Sequence, residues 1–134
     1  IYMRLSMLTF CEIQSFKSKL RKHWDPEVEL CGIANEAGEI EETKNVSGDP
    51  KNRFEFLLED LNRAQVSWHS HPSGTANLSI ADYRFFQSWP SLTHFIVSID
   101  EVRCYVVHEG MVYLIEQEND HPLRASRQEV SSQD

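Results

Sequence analysis

Apolar and polar positions along this chain repeat with two different periods, and the places where the period changes mark its elements. Cys11, Ile13, Phe16, Leu20 and Trp24 fall on one face at helical spacing. Lys17, Lys19, Arg21 and Lys22 lie off that face, which suits the C-terminal half of a helix, and Asp25-Pro26 ends it. Residues 30–34 and 39–43 read as a hairpin around Asn35-Glu36-Ala37-Gly38. Ser47-Gly48-Asp49-Pro50 is loop chemistry. Phe54-Glu55-Phe56 alternates like a short strand, and residues 57–64 suit a short helix. Residues 65–68 read as a strand with Val66 and Trp68 on one face. Tyr83, Phe86 and Trp89 then recur at helical spacing. Residues 94–99, 102–107 and 112–115 are β-rich, with turns at Asp100-Glu101 and Glu109-Gly110. From Glu118 the chain is polar and ends rich in Ser and Gln, the pattern of a frayed tail. The expectation is an α+β domain over residues 1–117, a mixed β-sheet flanked by helices, followed by a polar tail over 118–134.

Composition agrees and excludes some functions. At 134 residues and 40% hydrophobic, the chain can bury a core and is not of disordered composition. Lys and Arg number 13 against 21 Asp and Glu, a net charge of −8. An acidic chain with no basic patch is a poor nucleic-acid binder, because such binding rests on neutralising phosphates. No apolar run approaches the ~18–20 residues of a membrane span. Ile1-Tyr2-Met3-Arg4-Leu5 lacks the features of a signal peptide, so a cytoplasmic address is expected. Cys11, Cys31 and Cys104 are odd in number and far apart, which fits neither a zinc knuckle nor a disulfide framework. Each sits in an apolar context and reads as a small buried hydrophobe. Asn45-Val46-Ser47 matches a glycosylation sequon that has no meaning in that compartment.

The chemistry is concentrated in one stretch. His69 and His71 sit at i and i+2 at the end of a strand, so both side chains point to the same side and can converge on one ion. Pro72, Ser73 and Gly74 break the strand. A helix starting at Ser79 presents Ser79 and Asp82 on its first turn, back toward the histidines. Three protein ligands with an open position are the pattern of a catalytic zinc site, which lowers the pKa of a water toward ~7. Ser-x-x-Asp before an apolar run is also an ordinary capped helix start, and both readings stand for this pair. His23, His94, His108 and His121 read as satisfied or exposed histidines rather than ligands.

His69-Ser70-His71-Pro72 with Ser79 and Asp82 resembles the His-x-His-Pro…Ser-x-x-Asp signature of the JAMM (MPN-plus) metallopeptidases. The resemblance spans roughly residues 9 to 117. Upstream, residues 26–33 resemble that family's first core strand, whose catalytic glutamate stands three residues before a glycine. That position is Glu29, with Glu27 on the same strand face as the alternative. The family's proline before the serine is Leu78 here. The resemblance implies the MPN fold, Zn2+ held by His69, His71 and Asp82, Glu29 as general base and then general acid, and Ser79 as donor to the oxyanion or holder of the bound water. Trp68 and Ser70 alternate away from the ligands and read as core or supporting residues.

The same resemblance implies hydrolysis of a peptide or isopeptide bond after the tail of a ubiquitin-like protein or conjugate, with Phe54-Glu55-Phe56 walling the groove and pairing with the tail by strand addition. At least one of the two phenylalanines is expected in the core. The chain looks most like the compact prokaryotic and phage branch, which includes deconjugases beside bacterial ubiquitin-like systems and the N-terminal domain of lambda-like tail assembly proteins. Phage tail proteins are therefore the alternative substrates, and a non-catalytic MPN scaffold is the reading from another class. A RadC-like relative has asparagine between the histidines and no equivalent of Glu29. Zinc deaminases need a His-x-Glu and a Pro-Cys-x-x-Cys that are missing here.

Overall fold

The computed structural model describes residues 7–123. Its element order is α1 (Phe10–Leu20), β1 (Cys31–Asn35), β2 (Ile40–Thr43), α2 (Leu58–Asn62), β3 (Ala64–Ser70), α3 (Ile80–Ser88), β4 (Thr93–Val97), β5 (Val102–His108) and β6 (Met111–Ile115). Among the described residues, six strands make one sheet in the order β2-β1-β3-β4-β5-β6. Every neighbouring pair is antiparallel except β3 and β4, which run parallel. A parallel pair needs a crossover, and α3 supplies it. The expected α+β arrangement, a mixed sheet flanked by helices, is what the chain forms. Among the described residues, no helix is long and apolar enough to cross a membrane.

Period-two alternation splits the sheet into two apolar faces. Ala34, Val66, Trp68, Phe95, Val97 and Cys104 join Ile13, Phe16 and Leu20 of α1 in the largest core. On the other side, Ile33, Leu61 and Leu92 form one cluster, and Ala76, Phe86, Ile96 and Tyr105 another. α1 begins in a capping box: Thr9 Oγ1 accepts from Glu12 N at 3.1 Å, and Glu12 Oε1 accepts from Thr9 N at 2.8 Å. The Glu109-Gly110 turn has both residues at positive φ, 51° and 78°, the geometry whose twist matches a two-residue hairpin.

Several local expectations change. α1 stops at Leu20, ahead of Asp25-Pro26: Arg21 is its C-cap and His23 N donates to Leu20 O at 2.9 Å, while Asp25 Oδ1 accepts from Glu27 N and Val28 N further on. Trp24 therefore lies beyond the helix. Cys11 is exposed, not buried; Cys31 and Cys104 are buried. Residues 54–56 join no strand of the sheet: Phe54 and Phe56 turn onto other aromatic rings, and Glu55 bonds to Asn45 and Val46 instead of a ladder. α2 is shorter than residues 57–64, since Ala64 already belongs to β3. Within the segment read as tail, Glu118–Asp120 forms a 3-10 turn whose Asp120 carboxylate accepts from Glu116 N and Gln117 N. Residues 124–134 of that tail lie outside the described residues.

Gly32, on β1 between β2 and β3, shows how tightly the sheet packs there. A Cβ there would sit 2.2 Å from Glu41 O and 2.3 Å from Trp68 Cζ2. Backbone oxygen cannot yield as a flexible side chain can, and overpacking typically costs ~1–3 kcal/mol or more. Gly32→Ala is expected to lower stability by about 3 kcal/mol in urea unfolding, at the top of that range. Gly48→Ala, with nothing within 4 Å, is the control that leaves the midpoint in place.

Candidate metal centre

β3 delivers both histidines. His69 is its penultimate residue and fully buried. His71 follows the strand's end, where its N–H donates to Val97 O of β4 at 2.8 Å. Gly74, at φ 85°, lets the chain double back. Thr75 O then accepts from His71 Nδ1 at 2.8 Å. A carbonyl only accepts, so Nδ1 carries a proton. Nε2 faces Asp82, donating to it when the ring is protonated and presenting a lone pair when the ring is neutral.

α3 delivers the carboxylate. Ser79 is its N-cap: the hydroxyl accepts from Asp82 N at 3.1 Å, and Asp82 Oδ2 accepts from Ser79 N at 3.0 Å. The capping-box reading of this pair is therefore met. The same box aims Asp82 at the histidines. Its Oδ1 is 3.0 Å from His69 Nε2 and its Oδ2 3.2 Å from His71 Nε2, while the two Nε2 atoms are 3.2 Å apart.

These donors suit a metal. Zinc binds nitrogen and oxygen at ~2.0–2.2 Å, so tetrahedral neighbours stand about 3.3 Å apart. The two imidazole nitrogens, 3.2 Å apart, match one edge of that tetrahedron, and the Asp82 carboxylate bridges them with Oδ1 at 3.0 Å from one and Oδ2 at 3.2 Å from the other. His69 Nδ1 is buried with no hydrogen-bond partner, a cost of about 1–3 kcal/mol that the site carries.

Glu29 stands beside the two histidines and, with them, makes a group of donor atoms that could hold a metal. It precedes β1, is buried, and brings a carboxylate oxygen within 4.8 Å of donor atoms of His69 and His71. Its N–H donates to Pro50 O at 2.7 Å. Leu30 is tied twice to Ser70, with Leu30 N donating to Ser70 Oγ at 2.8 Å and Ser70 N donating to Leu30 O at 2.9 Å. Glu27, the alternative, is exposed. A cavity of about 430 Å³ is lined by Glu29, Arg53, Phe54, His71, Ser79 and Asp82 among others.

The two carboxylates are driven apart electrostatically. Burial pushes Glu29 up to about 7, only partly offset by His71. Burial also acts to raise Asp82, but the hydrogen bonds from His69 and His71 win and hold it well below the usual carboxylate range. Burial pulls His69 down. Burial acts the same way on His71, where the Asp82 bond and the Thr75 carbonyl overcome it and the net shift is upward. Burial pushes the Cys31 and Cys104 thiols up to about 11 and 12, so neither is a thiolate near neutral pH.

Other residues complete the site through contacts that cross the chain. Phe54 stacks on the His69 ring at 4.0 Å and meets Phe85 edge-on at 5.2 Å. Trp24 Nε1 donates to His71 O at 2.8 Å. Asn45 Nδ2 donates to Glu29 O at 2.9 Å. None of these carries a local motif in the sequence. His94 is satisfied, as expected: Nε2 donates to Trp89 O at 2.9 Å and Nδ1 accepts from Ser67 Oγ at 2.5 Å. Burial pulls it down to about 3, so it is neutral.

Comparison with protein-family models and with curated proteins finds no match. Among solved structures, the chain is similar to the solution structure of protein DSY2949 from Desulfitobacterium hafniense, with a TM-score of 0.50 and 19% identity over 81% of this chain and 88% of that one. At that identity the likeness concerns the fold alone.

The donor cluster makes a direct prediction. The protein is expected to take up about one zinc, measured by competition with a chromogenic chelator, and His71→Ala or Asp82→Ala to weaken uptake at least ~10–100-fold. Unchanged uptake in both variants would sink the assignment of these residues as ligands.

Proposed function

We propose that this chain is a zinc-dependent (iso)peptidase of the JAMM (MPN-plus) type, built on the MPN fold, that hydrolyses the bond after the C-terminal tail of a ubiquitin-like protein. The observation that carries the reading is the pair of imidazole nitrogens 3.2 Å apart, each within 3.0–3.2 Å of one oxygen of the Asp82 carboxylate, with the buried, raised Glu29 carboxylate within 4.8 Å of both rings' donor atoms. A scaffold needs neither the donor cluster nor the raised base.

His69, His71 and Asp82 would hold the zinc. When bound, zinc supplies Lewis acidity that polarises the scissile carbonyl and makes water acidic enough to give up a proton near neutral pH. Glu29 takes that proton and returns it to the leaving amine, a task suited to a carboxyl poised near the working pH. The Thr75 carbonyl fixes the tautomer of His71. Ser79 accepts from Asp82 N, which leaves its own O–H free to donate into the cavity toward the oxyanion. Phe54 excludes water from one face of His69. Among the described residues, no backbone group outside their own segment bonds the main chain of Phe54 or Phe56, so that stretch can pair with an extended tail.

The test is cleavage of a panel of ubiquitin-like proteins carrying C-terminal extensions. Chelator-sensitive cleavage after the tail is expected, with Glu29→Gln reducing kcat by ~10²–10⁴-fold while zinc and fold persist. Full activity in that variant removes Glu29 as the base. No cleavage of any extension by folded, zinc-loaded protein sinks the reading itself. Glu29 works as a base only when ionised, so kcat/KM falls as pH drops through its pKa. The acid limb is expected at or below about 7, because a bound cation can only lower the value that burial raises. Ser79→Ala is expected to lower kcat ~10²–10³-fold. The lost cap costs only about 1 kcal/mol of stability.

A further inference from the structure

Asn45 spends its whole hydrogen-bonding capacity on one junction. An amide side chain offers two N–H donors and an oxygen with two lone pairs. Asn45 Nδ2 donates to Glu29 O and to Arg53 O, each at 2.9 Å. Its Oδ1 accepts from Ser47 N at 3.0 Å and from Glu55 N at 3.1 Å. Arg53 and Glu55 flank Phe54, the ring stacked on His69. The side chain therefore bridges the segment that carries Glu29 and the loop that carries Phe54.

We propose that Asn45 is a positioning residue that locks Glu29 and the Phe54 loop into one rigid wall of the cavity, an inference that rests on the peptidase reading above. No other residue type replaces it in place. Aspartate keeps the acceptor half but turns a lone pair on Glu29 O and Arg53 O. Glutamine is one methylene too long, and serine cannot reach four partners. Of the other ties on this wall, Glu29 N to Pro50 O anchors Glu29 to the loop's far part and Val46 N to Glu55 O closes the loop on itself, but neither joins Glu29 to the residues that flank Phe54.

The two halves of the amide can be separated. In Asn45→Asp the bonds from Ser47 N and Glu55 N remain and those to Glu29 O and Arg53 O are lost. A misplacement near 1 Å can cost ~10²-fold, so kcat is expected to fall ~10–100-fold with KM little changed. In Asn45→Ala both halves go: the same loss of kcat is joined by a rise in KM and by faster amide hydrogen exchange confined to residues 46–56. Zinc retention against a chromogenic chelator stays within about twofold of wild type in both, since no ligand touches Asn45. Unchanged turnover in Asn45→Asp overturns the proposal. So does a parallel loss of zinc, melting temperature and activity, which would mark a merely structural residue. If wild type cleaves nothing, the peptidase reading has failed by itself, and exchange still decides: faster exchange limited to 46–56 in Asn45→Ala supports the clamp, and no change overturns it. Should both variants fail to fold, the wild-type Ser47 and Glu55 amides are the measure, protected if the clamp exists and freely exchanging if it does not.

Discussion

The Asp82 carboxylate is the constraint on which the site depends. It is 3% exposed, and a buried anion is costly unless its oxygens are bonded. Here His69 Nε2, His71 Nε2 and the Ser79 N–H surround it at 3.0–3.2 Å. Those contacts come from the end of β3 and the start of α3, so the carboxylate is also the point where strand and helix are joined. Remove it, and two imidazole nitrogens 3.2 Å apart are left facing each other across a buried gap. The crossover from β3 through α3 to β4 is what lets residues eleven to thirteen positions apart meet at one point.

Glu29 is the electrostatic opposite of Asp82. Both are buried carboxylates facing one cavity, yet burial raises one while hydrogen bonds lower the other. Environments that separate two like groups in this way divide the roles available to them, one held permanently anionic and the other able to exchange a proton near neutrality. The division has structural causes that can be named. Asp82 sits within reach of two imidazoles and a helix N-terminal amide; Glu29 is placed by its main chain, through Pro50, Asn45 and the Leu30–Ser70 pair, so that its carboxylate is buried.

What was legible in the sequence is what local rules govern. Period-two alternation put Val66 and Trp68 on one face and, by continuation, His69 and His71 on the other, because side-chain direction in a strand needs no tertiary information. The Ser79 cap and the Asn35–Gly38 turn were readable for the same reason. Phe54-Glu55-Phe56 misled, since alternation records only that Phe54 and Phe56 face inward. It does not say whether the main chain finds a ladder partner, and Asn45 supplies side-chain bonds in place of one. Trp24, Asn45 and Phe54 reach the site over long stretches of chain, with no spacing rule to announce them.

α3 is nine residues long, too short to be stable without help from its surroundings, so its two ends must both be held. At the first turn the Ser79–Asp82 box does this, tied in turn to the histidines. At the other end Trp89 O accepts from His94 Nε2, and His94 Nδ1 accepts from Ser67 of β3. Phe86 lies between, stacked on His94 at 4.3 Å and tilted against His69 at 6.2 Å. A protonated His94 would place a second positive charge under the cluster, and burial prevents it by keeping the ring neutral. The helix is thus clamped to the same strand at both ends, by polar bonds at each end and aromatic packing between. The position of Asp82 follows from that clamp rather than from any intrinsic stability of the helix.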